Sequence, residues 1–380
     1  MINYPSLSPV ESLSKQTRGR SVVNLASGSP DPSMIPLREI HGAYTQVISE
    51  YGRLAFSYPG AGGLEELKAQ IKAWCKAIGV PAGGSKVVVT SGAQHAITLL
   101  AVAVAANRSY AHEDPTFPET LNSFRLLGKT PVQIPIDHCG AQLEILEQAF
   151  SKGKKFSAFY TIPVCHNPAG VNMSTDRRSH LAQLSVDHGF TCVEDDPYRP
   201  ICPEPGEPIF SHSPKSVAYV GSFSKAVAPG LRIGFVLTAN HRLANLVERL
   251  EQLDFSTSTI NQLVLSRLLR SGAVSKSLEP LRSHYHMKLK AATDELVDNG
   301  LELVFKPAGG LFLLADLGVN AVKLLPKALR RGVAYVPALE FYARGRRKAS
   351  GYARLSIGPA SCDEIATGIR LIKKAILDDS

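Results

Sequence analysis

One lysine stands between small hydroxyl residues in GSFSKAVAPGLRIGFV (221–236), with Pro-Gly behind it and an arginine seven positions on. A free lysine amine has a pKa of ~10.4, so it becomes a nucleophile only where burial or a neighbouring cation depresses that value. Arg232 is such a cation. With the hydroxyls of Ser222 and Ser224 it also makes an anion site suited to a phosphate. A surface loop carrying an ordinary lysine and arginine is the plainer reading. The fixed Pro-Gly-Leu-Arg-Ile-Gly spacing favours a lysine, Lys225, held to form an imine beside a phosphate.

Two further stretches supply partners. In TSGAQH (90–95) an apolar run ends in Ser-Gly where a helix begins, so the N–H groups of Gly92, Ala93 and Gln94 would point at a common anion. An N-capped helix with no ligand would look the same. CHNPAGV (165–171) and VEDDPY (193–198) place Asn167 and Asp195 28 residues apart, each at the end of an apolar run. Both can then face one crevice at the carboxyl edge of a sheet. An aspartate after a hydrophobic strand is costly to bury unless a cation pairs with it. A protonated pyridine nitrogen would serve, with Tyr198 in reach of a neighbouring ring hydroxyl; a helix cap or turn carboxylate is the alternative.

The elements that must position these residues follow from apolar patterning. LEELKAQIKAWCKAIG puts Leu64, Leu67, Ile71, Trp74, Cys75 and Ile78 on one helical face. Short apolar runs at 86–92, 156–163, 190–195, 217–223 and 232–238 read as strands buried on both faces, with helices between them: an α/β layered sheet. The tail reads differently. Two strands flank a Pro-Ala-Gly-Gly turn in 301–317, GVAYVPA and YARLSIG add further strands, and 362–377 forms a closing helix, so a smaller α+β domain is expected. A long helix around 240–295 is expected to link the two parts.

Composition narrows the class. A chain of 380 residues with 44% hydrophobic and 20% charged residues is that of a folded globular protein, not a disordered one. The first twenty residues are polar and carry no apolar signal core, and AITLLAVAVAA (96–106) is too short to span a bilayer; a cytoplasmic protein with no membrane partner is expected. Six cysteines without a CxxC pair and scattered histidines support neither a disulfide frame nor a metal site. The net charge of +9 is uneven, with nine Lys/Arg and one acid, Glu340, between Lys323 and Arg354. A solvated basic face, a funnel for an anionic substrate and a nucleic-acid patch all fit this excess. No nucleic-acid motif accompanies it, so no such partner is expected.

Together the motifs resemble the fold-type I pyridoxal-phosphate aminotransferases of class I/II, and within them the kynurenine/2-aminoadipate aminotransferase group. The resemblance runs in order through NLASGSPDPSMIP (24–36), SYPGAGGLEELK (57–68), TSGAQH, EDPTFPE (113–119), CHNPAG, EDDPY, GSFSKAVAPGLRIG, STINQL (258–263), PAGGLFL (307–313) and ARLSIG (353–358). It implies a large domain (45–275) with a mostly parallel seven-stranded sheet between helices. A small C-terminal domain (276–380) and an N-terminal segment (1–44) packing on it complete the chain.

It also implies roles. Lys225 forms the internal aldimine with pyridoxal 5'-phosphate, moves the proton at the substrate Cα through quinonoid and ketimine stages, and returns to the cofactor. Asp195 pairs with the pyridinium nitrogen, Asn167 and Tyr198 hold the ring oxygen, and Phe117 stacks on the ring. Gly92, Ala93, Gln94, Ser222, Ser224 and Arg232 hold the phosphate. Tyr58 reaches the phosphate of a neighbouring subunit, which implies a homodimer with shared sites. Arg354 binds the α-carboxylate, helped by Asn167 and the backbone of Gly28, with an amino acid and a keto acid as substrates.

Some positions depart from the group's pattern. Phenylalanine stands at 117 where tyrosine is common, Ala338 where glycine is common, NPAG where NPTG is usual, and a basic RGRRK precedes Arg354. These departures keep a second reading open: decarboxylation, β/γ-replacement or carbon–carbon bond formation on the same scaffold, with an anionic phosphorylated or nucleotide co-substrate. Arg18, Arg20 and the basic loop through Arg344, Arg346 and Arg347 are candidates for side-chain specificity. A non-enzymatic regulator would need a DNA-binding segment ahead of this module, for which the first two dozen residues leave no room; that role is not expected.

Overall fold

The computed structural model describes residues 13, 21–104, 109–125, 131–343 and 347–378. Arg18, Arg20, Arg344, Arg346 and the Arg347 side chain lie outside the described residues.

A large sheet forms the centre. Its strands are β2 (Lys86–Thr90), β3 (Ser109–Asp114), β4 (Pro131–Asp137), β5 (Gly140–Ala141), β6 (Phe156–Thr161), β7 (Thr191–Asp195), β8 (Val217–Ser222) and β9 (Gly234–Thr238). They lie in the order β2-β9-β8-β7-β6-β3-β4-β5. The four pairings from β8 through β7, β6 and β3 to β4 are parallel; β9 runs against both β8 and β2. The expected seven strands are there, and two-residue β5 turns back on β4 as an eighth.

Burial on both faces explains the apolar runs: β8 is buried at every position, and β2 and β7 at all but their first. The helix Glu65–Ala77 opens on two glutamates and buries Leu67, Ile71, Trp74 and Cys75, as its periodicity requires. Strand β3 carries no apolar pattern, yet it is central. Its Glu113 is tolerated there because Thr161 Oγ1 and the Ile162 N–H both donate to it at 2.8 Å.

The tail folds into a four-stranded antiparallel sheet of β10 (Glu302–Leu303), β11 (Phe312–Asp316), β13 (Val336–Pro337) and β14 (Tyr352–Ser356), ordered β10-β11-β14-β13. The closing helix Cys362–Leu377 begins with a capping box between Ser361 and Glu364. Strand β1 (Val23–Asn24) pairs in parallel with β12 (Val333–Ala334), and the Ser356 N–H donates to Leu25 O at 2.8 Å. The N-terminal stretch is thereby laid along this sheet.

One expectation fails. Residues 240–295 are not a single helix but His241–Glu251, Thr259–Arg270, Ala273–Lys276 and the long Leu278–Asp298. The first two breaks fall where Phe255 and Ser256, then Gly272, take positive φ, which no α-helix accommodates.

Candidate active site

Strand direction gathers the site. Because β2 and β8 both oppose β9, β2 points the same way as the parallel strands. The carboxyl ends of β2, β3, β6, β7 and β8 therefore share one edge, and β9 starts there. These ends carry Gly92, Phe117, Asn167, Asp195 and Ser222, and Arg232 sits just ahead of β9. A cavity of about 140 Å³ at this edge is lined by Ala93, Gln94, Phe117, Asn167, Asp195, Tyr198, Ser222, Ser224, Lys225 and Arg232.

At one end the cavity is built for an anion. Gly92 (φ 92°) turns the chain into the helix Ala93–Ala103, leaving the first N–H groups of that helix at the cavity. A Cβ on Gly92 would lie 2.7 Å from Arg232 Nη2, and one on Gly234 would lie 2.6 Å from the Ala93 nitrogen. Two glycines thus let the guanidinium and the helix start close on the same point. Arg232, held in the left-handed region at φ 55°, donates to Ser91 O at 3.0 Å.

At the other end stands Asp195, 4% exposed. Its Oδ2 accepts the Tyr160 hydroxyl at 2.6 Å, while its buried Oδ1 has no hydrogen-bond partner among the described residues. Burial raises its pKa to about 7, against the Tyr160 bond, which favours the charged form. A carboxylate with one oxygen committed and one left over fits a protonated ring nitrogen. Burial also pushes the Tyr198 phenol up, and this ring meets Phe312 edge-on at 5.7 Å. The donor set therefore suits pyridoxal phosphate at each end, phosphate and pyridine.

Between them Lys225 Nζ donates to Gly28 O at 2.7 Å. Desolvation, then the charges of Arg354 and Arg232, lower its pKa to about 8. Arg354, on β14, is 1% exposed, its guanidinium 4.6 Å from the Phe312 ring centroid and 5.0 Å from that of Phe341. It donates to Ala26 O and, at 3.4 Å, to Asn167 Oδ1, and its buried Nε has no partner among the described residues. Desolvation lowers its pKa to about 10, so it stays cationic at neutral pH.

Gly28 and Tyr58 do not line this cavity. The Gly28 carbonyl accepts from Lys225 Nζ. Tyr58 is 80% exposed and outside this cavity, its ring 5.5 Å from that of Phe255. Tyr160 is the residue the sequence reading missed. It lay within an apolar run, and only the pairing of β6 with β7 brings its hydroxyl to Asp195.

Fold and site define a pyridoxal-phosphate-dependent aminotransferase acting on amino acids, and residues 20–369 match the model for aminotransferase class I and II, the family to which this chain belongs. Aromatic-amino-acid aminotransferase 1 of Thermococcus litoralis is 30% identical over 98% of this chain and 92% of its own length. The 2-aminoadipate transaminase of Thermus thermophilus is 30% identical over 97% of this chain and 94% of its own. Among solved structures, Pyrococcus horikoshii kynurenine aminotransferase superposes with a TM-score of 0.91 at 30% identity, covering 99% of this chain and 95% of that one.

Proposed function

We propose that Lys225 tethers the cofactor and, once displaced by the donor amine, moves the proton at the donor Cα. A depressed pKa of about 8 supports this, since a released amine must be neutral to act as a base near neutrality. Bound pyridoxal phosphate supplies an electron-withdrawing ring and an aldehyde carbon that carries the amino group between donor and acceptor. Asp195 keeps the ring nitrogen protonated; Asn167 and Tyr198 hold the ring oxygen, and Phe117 covers one ring face. The helix start at Gly92, Ala93 and Gln94, with Ser222, Ser224 and Arg232, takes the phosphate. Arg354 takes the α-carboxylate of the amino acid, then of the keto acid. The observation that carries this reading is the unpartnered Asp195 Oδ1 at the far end of the cavity from Arg232.

The test is the visible spectrum of the holoenzyme with single amino acids and no keto acid. Decay of the cofactor band to that of pyridoxamine phosphate with at least one α-amino acid is the expected result. A band that persists through a full panel of donors would sink the reading. None of the relatives described above is named for decarboxylation, replacement or carbon–carbon bond formation, and the alternative has no observation in its favour.

The same reading includes a homodimer with shared sites. Leu54 (71% exposed), Phe56, Tyr58, Leu253 and Phe255 are all exposed, which suits a face covered by a second copy that places Tyr58 at its neighbour's phosphate. A monomeric mass in light scattering would count against it. The division at 44/45 and 275/276 belongs to the proposal too, to be checked by limited proteolysis. So does a cytoplasmic setting, which the six free cysteines fit and fractionation can test.

A further inference from the structure

Glu119 lies two residues past Phe117, in the first turn of the helix Pro118–Arg125. That turn is tied to the cavity on one side, where Gln94 Nε2 donates to Glu119 O at 3.3 Å and to Ser123 Oγ at 2.9 Å. On the other side the Thr116 N–H donates to Phe341 O at 2.9 Å, and the Ala343 N–H to Asp114 Oδ1 at 3.1 Å. The connection from β3 into the helix that carries Glu119 is thus pinned to the stretch whose Phe341 ring lies against Arg354. The Glu119 carboxylate comes close enough to Arg354 to favour its charged form.

No ion pair forms between them, however. Glu119 is half-buried, and its Oε2 is sealed from solvent without a hydrogen-bond partner among the described residues. A carboxylate oxygen stripped of water and left unpaired is costly unless something the protein binds supplies the donor. Arg354 is already assigned to an α-carboxylate. What remains near it is a carboxylate oxygen that the described residues leave without a donor.

We propose that Glu119 is a specificity-determining residue that receives the cationic end, ammonium or guanidinium, of the donor's side chain, while Arg354 holds its α-carboxylate. The proposal rests on the reading of Arg354 as the carboxylate site. Two opposite charges read the two ends of a basic α-amino acid. They also select against a dicarboxylic donor, whose second carboxylate would meet Glu119.

The test separates binding from turnover by using 2-methyl amino acids, which lack the Cα proton and cannot react onward. Calorimetric titration of the holoenzyme with α-methylornithine, α-methylleucine and α-methylglutamate should show the first binding tightest, by about tenfold or more. Glu119→Gln, equal in size, should erase that preference and leave α-methylleucine unchanged; Glu119→Asp should keep part of it. Equal affinity for α-methylglutamate, or an unaltered ranking in Glu119→Gln, overturns the proposal. Pyridoxamine phosphate formation is followed separately with ornithine, leucine and glutamate. A Glu119-dependent preference without pyridoxamine phosphate supports the role of Glu119 and counts against transamination. Pyridoxamine phosphate formed without regard to side-chain charge does the reverse.

Discussion

The cofactor end and the substrate end of the site are built in different ways. The cofactor end draws on consecutive strand ends of a single sheet: the turns after β2, β6, β7 and β8, and the residue ahead of β9. Parallel pairing fixes their spacing, and each motif is a short continuous string. The substrate end is assembled from distant pieces. Arg354 comes from the small sheet, its two flanking rings from β11 and from the turn Ala338–Phe341, and its carbonyl partner Ala26 from the N-terminal stretch. One end is a property of local sequence on a rigid frame. The other exists only when two sheets and the N-terminal stretch are in register, so it is the end that can change specificity without disturbing the cofactor.

If that division is right, damage to the two ends should look different. The largest effect belongs to Lys225→Ala, which removes both tether and base. Turnover should fall by about 10⁴-fold, with pyridoxal phosphate still retained by the phosphate and ring contacts. Residual turnover within tenfold of the parent would remove Lys225 from the chemistry. Arg354→Lys tests the other end. It keeps the charge but loses the planar fork, so KM for the donor should rise by about ten- to a hundredfold, while the affinity for pyridoxal phosphate stays within a factor of about two. A loss of cofactor affinity as large as the rise in KM would show that the two ends are not separable.

The same division sets what the sequence made legible. The strings around Gly92, Asn167, Asp195 and Lys225 could be read directly, because a buried parallel strand, a turn and a helix start leave a continuous signature. Strands β3 and β4 could not. SYAHED (109–114) looks polar, and its burial depends on Thr161 and Ile162, residues some fifty positions away that donate to Glu113. The broken helices of 240–295 were read as one because apolar periodicity continues on either side of breaks set by backbone conformation at Phe255 and Ser256. Tyr160 and Glu119 carry no local signal at all. Their roles come from what tertiary pairing puts beside them.

Tyr160 offers the smallest and most specific test of the cofactor end. Asp195 sits at about 7 because burial, with Asp196 and Glu113 adding like charge, outweighs the single hydrogen bond from the Tyr160 hydroxyl. Only the ionised carboxylate can pair with a protonated ring nitrogen, so the affinity of the apoprotein for pyridoxal phosphate should fall as pH drops through about 7. Tyr160→Phe removes a donor to the charged form and nothing that favours the neutral one. The sign is therefore fixed: the Asp195 pKa rises further, and the midpoint of cofactor binding moves to higher pH. A hydrogen bond to a charged group contributes about 1.5–3 kcal/mol, and one pKa unit is about 1.4 kcal/mol, so a shift of roughly one to two pH units is expected. Fluorescence titration of both apoproteins with pyridoxal phosphate from about pH 5 to about pH 10 (roughly two units below the parent midpoint and one above the shifted one) reads it. Above the shifted midpoint both proteins should bind alike, because the carboxylate is ionised in each. A uniform loss of affinity at every pH would mean that Tyr160 only packs the strand; a displaced midpoint with equal plateaus assigns it to the charge of Asp195.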